Sequence, residues 1–134
     1  MNVTRSIALS GALSGANAAT LRLEAAASNI ANRRSLGAPP GVMGPVVYTP
    51  LRVEQVAIAG GGVGARLAPV SHEALLAYDP SIPFASDAGL VSIPNIDPMG
   101  EFLDLLTARH DFAANLQVLR ASDEMMDATL SMFA

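Results

Sequence analysis

A chain of 134 residues that is 51% hydrophobic but only 4% aromatic has room for one domain. Much of its apolar content is alanine, so any core it builds is thin for its size. Its formal net charge is −4, and its eight basic residues are arginines scattered from Arg5 to Arg120, which excludes a nucleic-acid binder that relies on neutralising phosphates.

From about Val3 to Arg34 the apolar spacing predicts one long helix. Leu9, Ala12, Ala16, Ala19, Leu23, Ala26 and Ile30 recur by alternating steps of three and four, which lines them along one seam. Arg33 and Arg34 are expected in the last turn, where positive charge complements exposed carbonyls. Gly37, Pro39 and Pro40 then end the helix. The same stretch carries some marks of a secretory signal, with Arg5 before Ile7-Ala8-Leu9 and a small-residue site at Ala16-Asn17-Ala18. Ser10, Gly11, Ser14 and Gly15 interrupt the apolar run, however, and the helical period continues past that site. An uncleaved helix is therefore the expectation, and no apolar run reaches the length of a membrane-spanning helix, so no direct membrane insertion is expected.

A Gly/Pro-rich middle follows. Within Val46 to Ala59, Leu51 and Val53 alternate with Arg52 and Glu54; Val63, Ala65 and Leu67 alternate again after Gly60-Gly61-Gly62, which predicts a β-hairpin. Tyr78-Asp79-Pro80-Ser81-Ile82-Pro83 predicts an irregular extended loop, because its two prolines fix φ and remove donors. Gly89 marks a further turn before Leu90 to Asn95, and no substantial sheet is expected in this section.

Asp97-Pro98 then joins an N-capping side chain to a proline at the first helical position. The helix it starts is expected to run to Phe133 with a seam of Phe102, Leu105, Arg109, Phe112, Leu116, Leu119, Asp123, Met126, Leu130 and Phe133. Arg109 and Asp123 interrupt one half of that seam. They are either satisfied locally or pair across a subunit boundary to set register.

The predicted fold is therefore mainly α: two long terminal helices paired antiparallel as a coiled-coil-like hairpin, with a small irregular β-hairpin and loop section between them. Residues 1–36 and 97–134 are expected to form one discontinuous helical domain, with 37–96 as an insertion. Alanine on the first helix lets the larger side chains of the second approach closely. Leu13, Leu21, Leu103, Leu106, Val118, Met125 and Met132 lie off the seams and carry apolar surface beyond what one partner helix can cover. This implies a subunit that completes its burial against other chains.

Chemistry is sparse. The chain has no cysteine, which excludes disulfides, thiolate metal sites and a cysteine nucleophile. His72-Glu73 and His110-Asp111 are the only His/carboxylate neighbours, and adjacent helix residues do not face one another. Gly60-Gly61-Gly62-Val63-Gly64 lacks the Lys-Ser/Thr of a phosphate-binding loop and reads as a turn. Glu101, Asp104, Asp123, Glu124 and Asp127 read as the solvated face of an amphipathic helix. No catalytic, cofactor or metal residue is predicted, and an enzyme is not expected.

Ala27-Ser28-Asn29-Ile30-Ala31-Asn32 resembles the signature that closes the N-terminal helix in the flagellar rod and hook family. Ala108-Arg109-His110-Asp111-Phe112-Ala113-Ala114-Asn115 is similar to that family's C-terminal motif, with Phe112 where tyrosine is usual. Tyr78-Asp79-Pro80, Gly89-Leu90-Val91 and Ile93-Pro94-Asn95-Ile96 resemble the family's proximal-rod subunits in particular. The motif residues carried over are Ser28, Asn29, Asn32, Tyr78, Asp79, Pro80, Pro94, Asn95, Arg109 and Asn115.

The resemblance implies a structural subunit exported through the flagellar type III apparatus without signal cleavage. It would polymerise with copies of itself and other rod proteins into the periplasm-spanning driveshaft. Its packing residues would be Leu9, Ala16, Leu23, Ile30, Phe102, Leu105, Phe112, Leu116, Leu119, Met126, Leu130 and Phe133. Another axial rod subunit, or an export-associated helical binding protein, is the alternative.

Overall fold

The computed structural model describes residues 2–71 and 74–132, with side chains of the first helix from Ile7 onward. Phe133 and the His72-Glu73 pair lie outside the described residues. The chain is about half helical: helix α1 spans Asn2–Asn32 and helix α2 spans Pro98–Ser131, with four short strands between them.

Helix α2 begins where its sequence signals place it. The Asp97 carboxylate accepts from the backbone N–H of Met99 (3.1 Å) and Gly100 (3.2 Å), satisfying two of the otherwise orphan donors. Pro98 occupies a position whose N–H would have no partner in any case. The end of α1 differs from expectation, because Arg33 and Arg34 fall just past the last helical residue. Arg33 still donates from Nη1 to the Ile30 carbonyl (3.1 Å), so its charge reaches the helix end from outside it.

Strands β1 (Leu51–Ala57) and β2 (Val63–Pro69) pair antiparallel, from Leu51 opposite Pro69 to Ala57 opposite Val63. Gly60, Gly61 and Gly62 all take φ between 96° and 101°, conformations that side-chain-bearing residues rarely adopt, and so make the tip. A second two-stranded unit, unforeseen from the sequence, joins β3 (Leu75–Tyr78) to β4 (Leu90–Ile93) antiparallel. Tyr78-Asp79-Pro80 is thus the exit of a strand: Asp79 N–H bonds to the Gly89 carbonyl (2.8 Å) and closes the loop back onto β4. Gly37, leaving α1, exchanges both backbone hydrogen bonds with Ser92 of β4 at 2.9 Å, which ties the end of α1 to the segment that starts α2.

Alanine dominates the buried core. Ala12, Ala16, Ala18, Ala19, Ala25, Ala26 and Ala108 are all buried, and Val91 is the largest fully buried hydrophobic residue. Along α1, Leu9, Leu23 and Ile30 are half-buried while the seam alanines are fully covered. The β1–β2 hairpin covers part of a second face of α1, which is why Ala18 and Ala25, off the expected seam, are buried too. Its seven-residue strands span about 23 Å at ~3.3 Å per residue. That matches the roughly 22 Å of helix, at ~1.5 Å per residue, between its attachments at Asn29 and Ser14.

Candidate assembly surface

The two helices meet at three places: Gly15 lies against Asn115, Arg22 bonds to Asp111, and Asn29 bonds to Glu101. Gly15 is required by proximity, since a Cβ there would sit 2.6 Å from Asn115 Oδ1. Asn115 itself donates to the Asp111 carbonyl at 2.8 Å. Arg22 Nη2 reaches Asp111 Oδ2 at 2.7 Å, and both side chains are about one-third exposed, so solvent screens the pair.

The covered line along α2 is Glu101, Leu105, Ala108, Phe112, Asn115, Leu119 and Ser122, with Leu116 and Asp111 half-buried beside it. This corrects one half of the expected seam. Phe102, Arg109 and Asp123 are exposed, and the residues that take their places, one position earlier, are Glu101, Ala108 and Ser122. The reason is steric: an α1 face made of Gly15, Ala16 and Ala19 brings the backbones close, and only small or slender side chains fit the second row. Arg109 and Asp123 therefore sit outside the helix contact, and so do Met126 and Leu130.

The expected motif residues divide into three groups and one residue apart. Ser28, Asn29 and Asn115 lie in or beside the helix contact, and Asn32 donates to the Ser28 carbonyl at 2.9 Å. Tyr78 and Pro80 are exposed and Asp79 half-buried at the lip of the β3–β4 loop, where Asp79 Oδ1 accepts from Ser81 N–H at 3.2 Å. Pro94 is buried and Asn95 exposed beside the start of α2. Arg109 stands apart from all of these on the exposed side of α2.

Sequence reasoning missed Glu101, Tyr48, Arg22 and Gly15. By sequence Glu101 reads as one of the solvated acids, but it is half-buried and accepts from Asn29 Nδ2 at 2.8 Å. Its place in the first turn after an Asp-Pro start was the one available signal. Burial raises the Glu101 carboxyl above the ordinary carboxylate range, with Asp104 and Asp97 adding to it against the opposing Asn29 bond. A cavity of about 320 Å³ opens here, with Arg22, Arg52, Leu51, Asp97, Glu101 and Asp104 on its walls. On the hairpin, Glu54 lies 3.0 Å from Arg52 and 2.6 Å from Arg66. Hydrogen bonding to those guanidiniums, Arg52 first, holds its carboxyl below the usual range. Among the described residues no cluster of three or more His, Asp or Glu side chains could hold a metal ion. No described helix is long and apolar enough to cross a membrane.

What the surface offers instead is grease. Met99, Phe102, Leu103 and Leu106 are all exposed at positions between the covered ones, on the side of α2 turned from α1. Past Ser122 every described residue of α2 is exposed, including Met125, Met126 and Leu130 (64%), and so is Met132 (83%) just beyond it. Contiguous exposed apolar surface of this kind is characteristic of protein- or membrane-contact sites.

Residues 87–132 match the family model described as the C-terminal region of flagellar basal body rod FlgEFG proteins. The flagellar basal-body rod protein FlgC of Escherichia coli O6:H1 is 34% identical over 130 residues, covering 89% of this chain and 90% of the relative. Its namesake from Salmonella typhimurium is 34% identical over 122 residues, covering 83% and 84%. That from Aquifex aeolicus is 32% identical over 125 residues, covering 91% and 92%.

Proposed function

This chain belongs to the family of flagellar basal-body rod proteins FlgC, and from that premise we propose that its two helices form an antiparallel, coiled-coil-like pair whose uncovered sides pack against neighbouring rod subunits. It is a structural subunit of the rod, in the basal body of the bacterial flagellum, assembling with other rod components. The opposite running of the Gly15–Asn115, Arg22–Asp111 and Asn29–Glu101 contacts supports the antiparallel pairing.

The observation that carries the packing role is the apolar run on α2 that α1 leaves bare, from Met99 to Leu106 and again from Val118 to Met132. Subunits joined by contacts of this heterologous kind grow into tubes rather than closed rings when the rotation does not close. In this reading residues 1–36 and 97–134 act as one discontinuous helical unit that builds the inner packing layer, and 37–96 decorates or locks its outside. The packing residues are Leu9, Ala16, Leu23, Ile30, Leu105, Phe112, Leu116 and Leu119 within the pair, and Phe102, Met126 and Leu130 toward neighbours. The chain reaches the periplasm through the type III export apparatus with its first residues retained, and it carries out no catalysis.

Purified basal bodies test this. They should contain the chain, and mass spectrometry should find the Met1 end uncleaved. A chain missing from basal bodies, or found in the cytosol bound to other rod proteins, would remove the structural role in favour of a binding one; a processed N-terminus would remove the export route.

A further inference from the structure

Asn29 is 1% exposed, at the point where three separate parts of the chain meet. A carboxamide offers two N–H donors and an oxygen with two lone pairs, and here all four are engaged. Asn29 Oδ1 accepts from the Leu51 N–H (2.8 Å) and the Tyr48 hydroxyl (3.0 Å), while Nδ2 donates to the Leu51 carbonyl (2.8 Å) and to Glu101 Oε1 (2.8 Å). The Tyr48 hydroxyl is held in turn at 2.9 Å from Ser28 Oγ.

The two bonds to Leu51 are the pair a neighbouring strand would supply, so one helix side chain serves as strand partner for the first residue of β1. That works in a single orientation. With the amide flipped, donor would face donor at the Leu51 N–H and acceptor would face acceptor at its carbonyl. The Tyr48 hydroxyl both donates and accepts, so it does not choose between the flips. Glu101 does, because an ionised carboxylate only accepts and therefore demands the nitrogen on its side.

We propose that Asn29 and Glu101 form a conformational latch, in which the closing of α2 on α1 fixes the Asn29 amide in the one orientation that seats the base of the β1–β2 hairpin. Seating of the hairpin then follows helix pairing instead of preceding it. The far end of the hairpin is held differently, by Val63 N–H on Ser14 Oγ (3.0 Å) and by the close approach of Gly61 and Gly62 to Ile7 and Ser14. The latch requires only that the two helices pair, and stands apart from any role in the rod.

Amide exchange on the full-length chain tests it. Glu101→Ala removes the acceptor, and the Leu51 amide should then exchange roughly tenfold faster while amides midway along both helices keep their rates. Glu101→Gln can accept or donate, so it keeps a bond to Asn29 without demanding one orientation, and should accelerate Leu51 by an intermediate factor, about threefold. Unchanged Leu51 exchange in Glu101→Ala overturns the latch. So does equal acceleration along the whole chain, or a Glu101→Gln variant as loose as the alanine one. Should Glu101→Ala fail to fold, Asn29→Asp decides: alone it should free Leu51, and adding Glu101→Gln, whose amide can donate to the introduced carboxylate, should recover protection by about threefold. Absence of that recovery overturns the proposal.

Discussion

The helix pair has two unlike ends. Where α1 finishes and α2 starts, Asn29 is sealed among Leu51, Tyr48 and Glu101, the Gly37–Ser92 bridge crosses alongside, and Asp97 caps the helix. At the other end α2 runs on past Ser122 with every described residue exposed, methionine and leucine among them. One end is closed by hydrogen bonds that engage all four groups of the Asn29 carboxamide; the other presents apolar surface left exposed among the described residues. The difference shows that this fold is anchored by directional polar contacts where α1 ends and α2 begins, and left open along the described last turns of α2. Local stability should follow the same gradient, with slow amide exchange near Asn29 and fast exchange beyond Ser122.

The largest change should come from breaking the closed end. Asn29→Ala strands the Leu51 N–H and carbonyl and Glu101 at once, leaves the Tyr48 hydroxyl only Ser28, and should cost about 3 kcal/mol or more in chemical denaturation. Next is Leu119→Asp, which sets a charge in the half-buried line of α2 and should cost roughly 2 kcal/mol and abolish incorporation into basal bodies. Normal incorporation of that variant would show that the pair does not need this line.

A smaller effect lies in pH. Glu101 has its carboxyl raised by burial, so its contribution to stability is complete below the ordinary carboxylate range and is lost as pH rises through the elevated value. Glu54 has its carboxyl lowered, so its contribution is present above the ordinary range and lost as pH falls. Denaturation midpoints between pH 3 and 7 should therefore lose the high-pH decline in Glu101→Gln, and a profile unaltered by that change would contradict the assignment. The smallest effect on the free chain should be Leu130→Asp at the open end, within about 0.5 kcal/mol by denaturation. The same variant should fail to assemble, and that split between folding and assembly is what most sharpens the contrast between the ends.

How far these features could be read from the residues depended on range. Asp97-Pro98 and the proline-rich stop after α1 are local signals, and they located both helices to within two residues. Alternation on either side of Gly60-Gly61-Gly62 located the first hairpin in the same way. Strand β3 escaped because four residues carry no period, and its pairing depends on a turn at Gly89 that returns β4 from beyond two prolines. On α2, ranking by hydrophobicity favoured Phe102 over Glu101, whereas the close approach permitted by Gly15 and the α1 alanines reversed that choice. Asn29 was legible as a motif residue and its role was not, because its partners sit 22 and 72 positions away.

The alanine that fills the buried face has a thermodynamic corollary. Heat-capacity change scales with the apolar area removed from water, and a methyl group contributes little of it. Folding of the solitary chain thus carries a shallow temperature dependence, so cooling or warming shifts its equilibrium only gently. If polymerisation hides methionine, leucine and phenylalanine as proposed, it is the step whose enthalpy should vary steeply with temperature, and a calorimeter should register the two events as separate slopes.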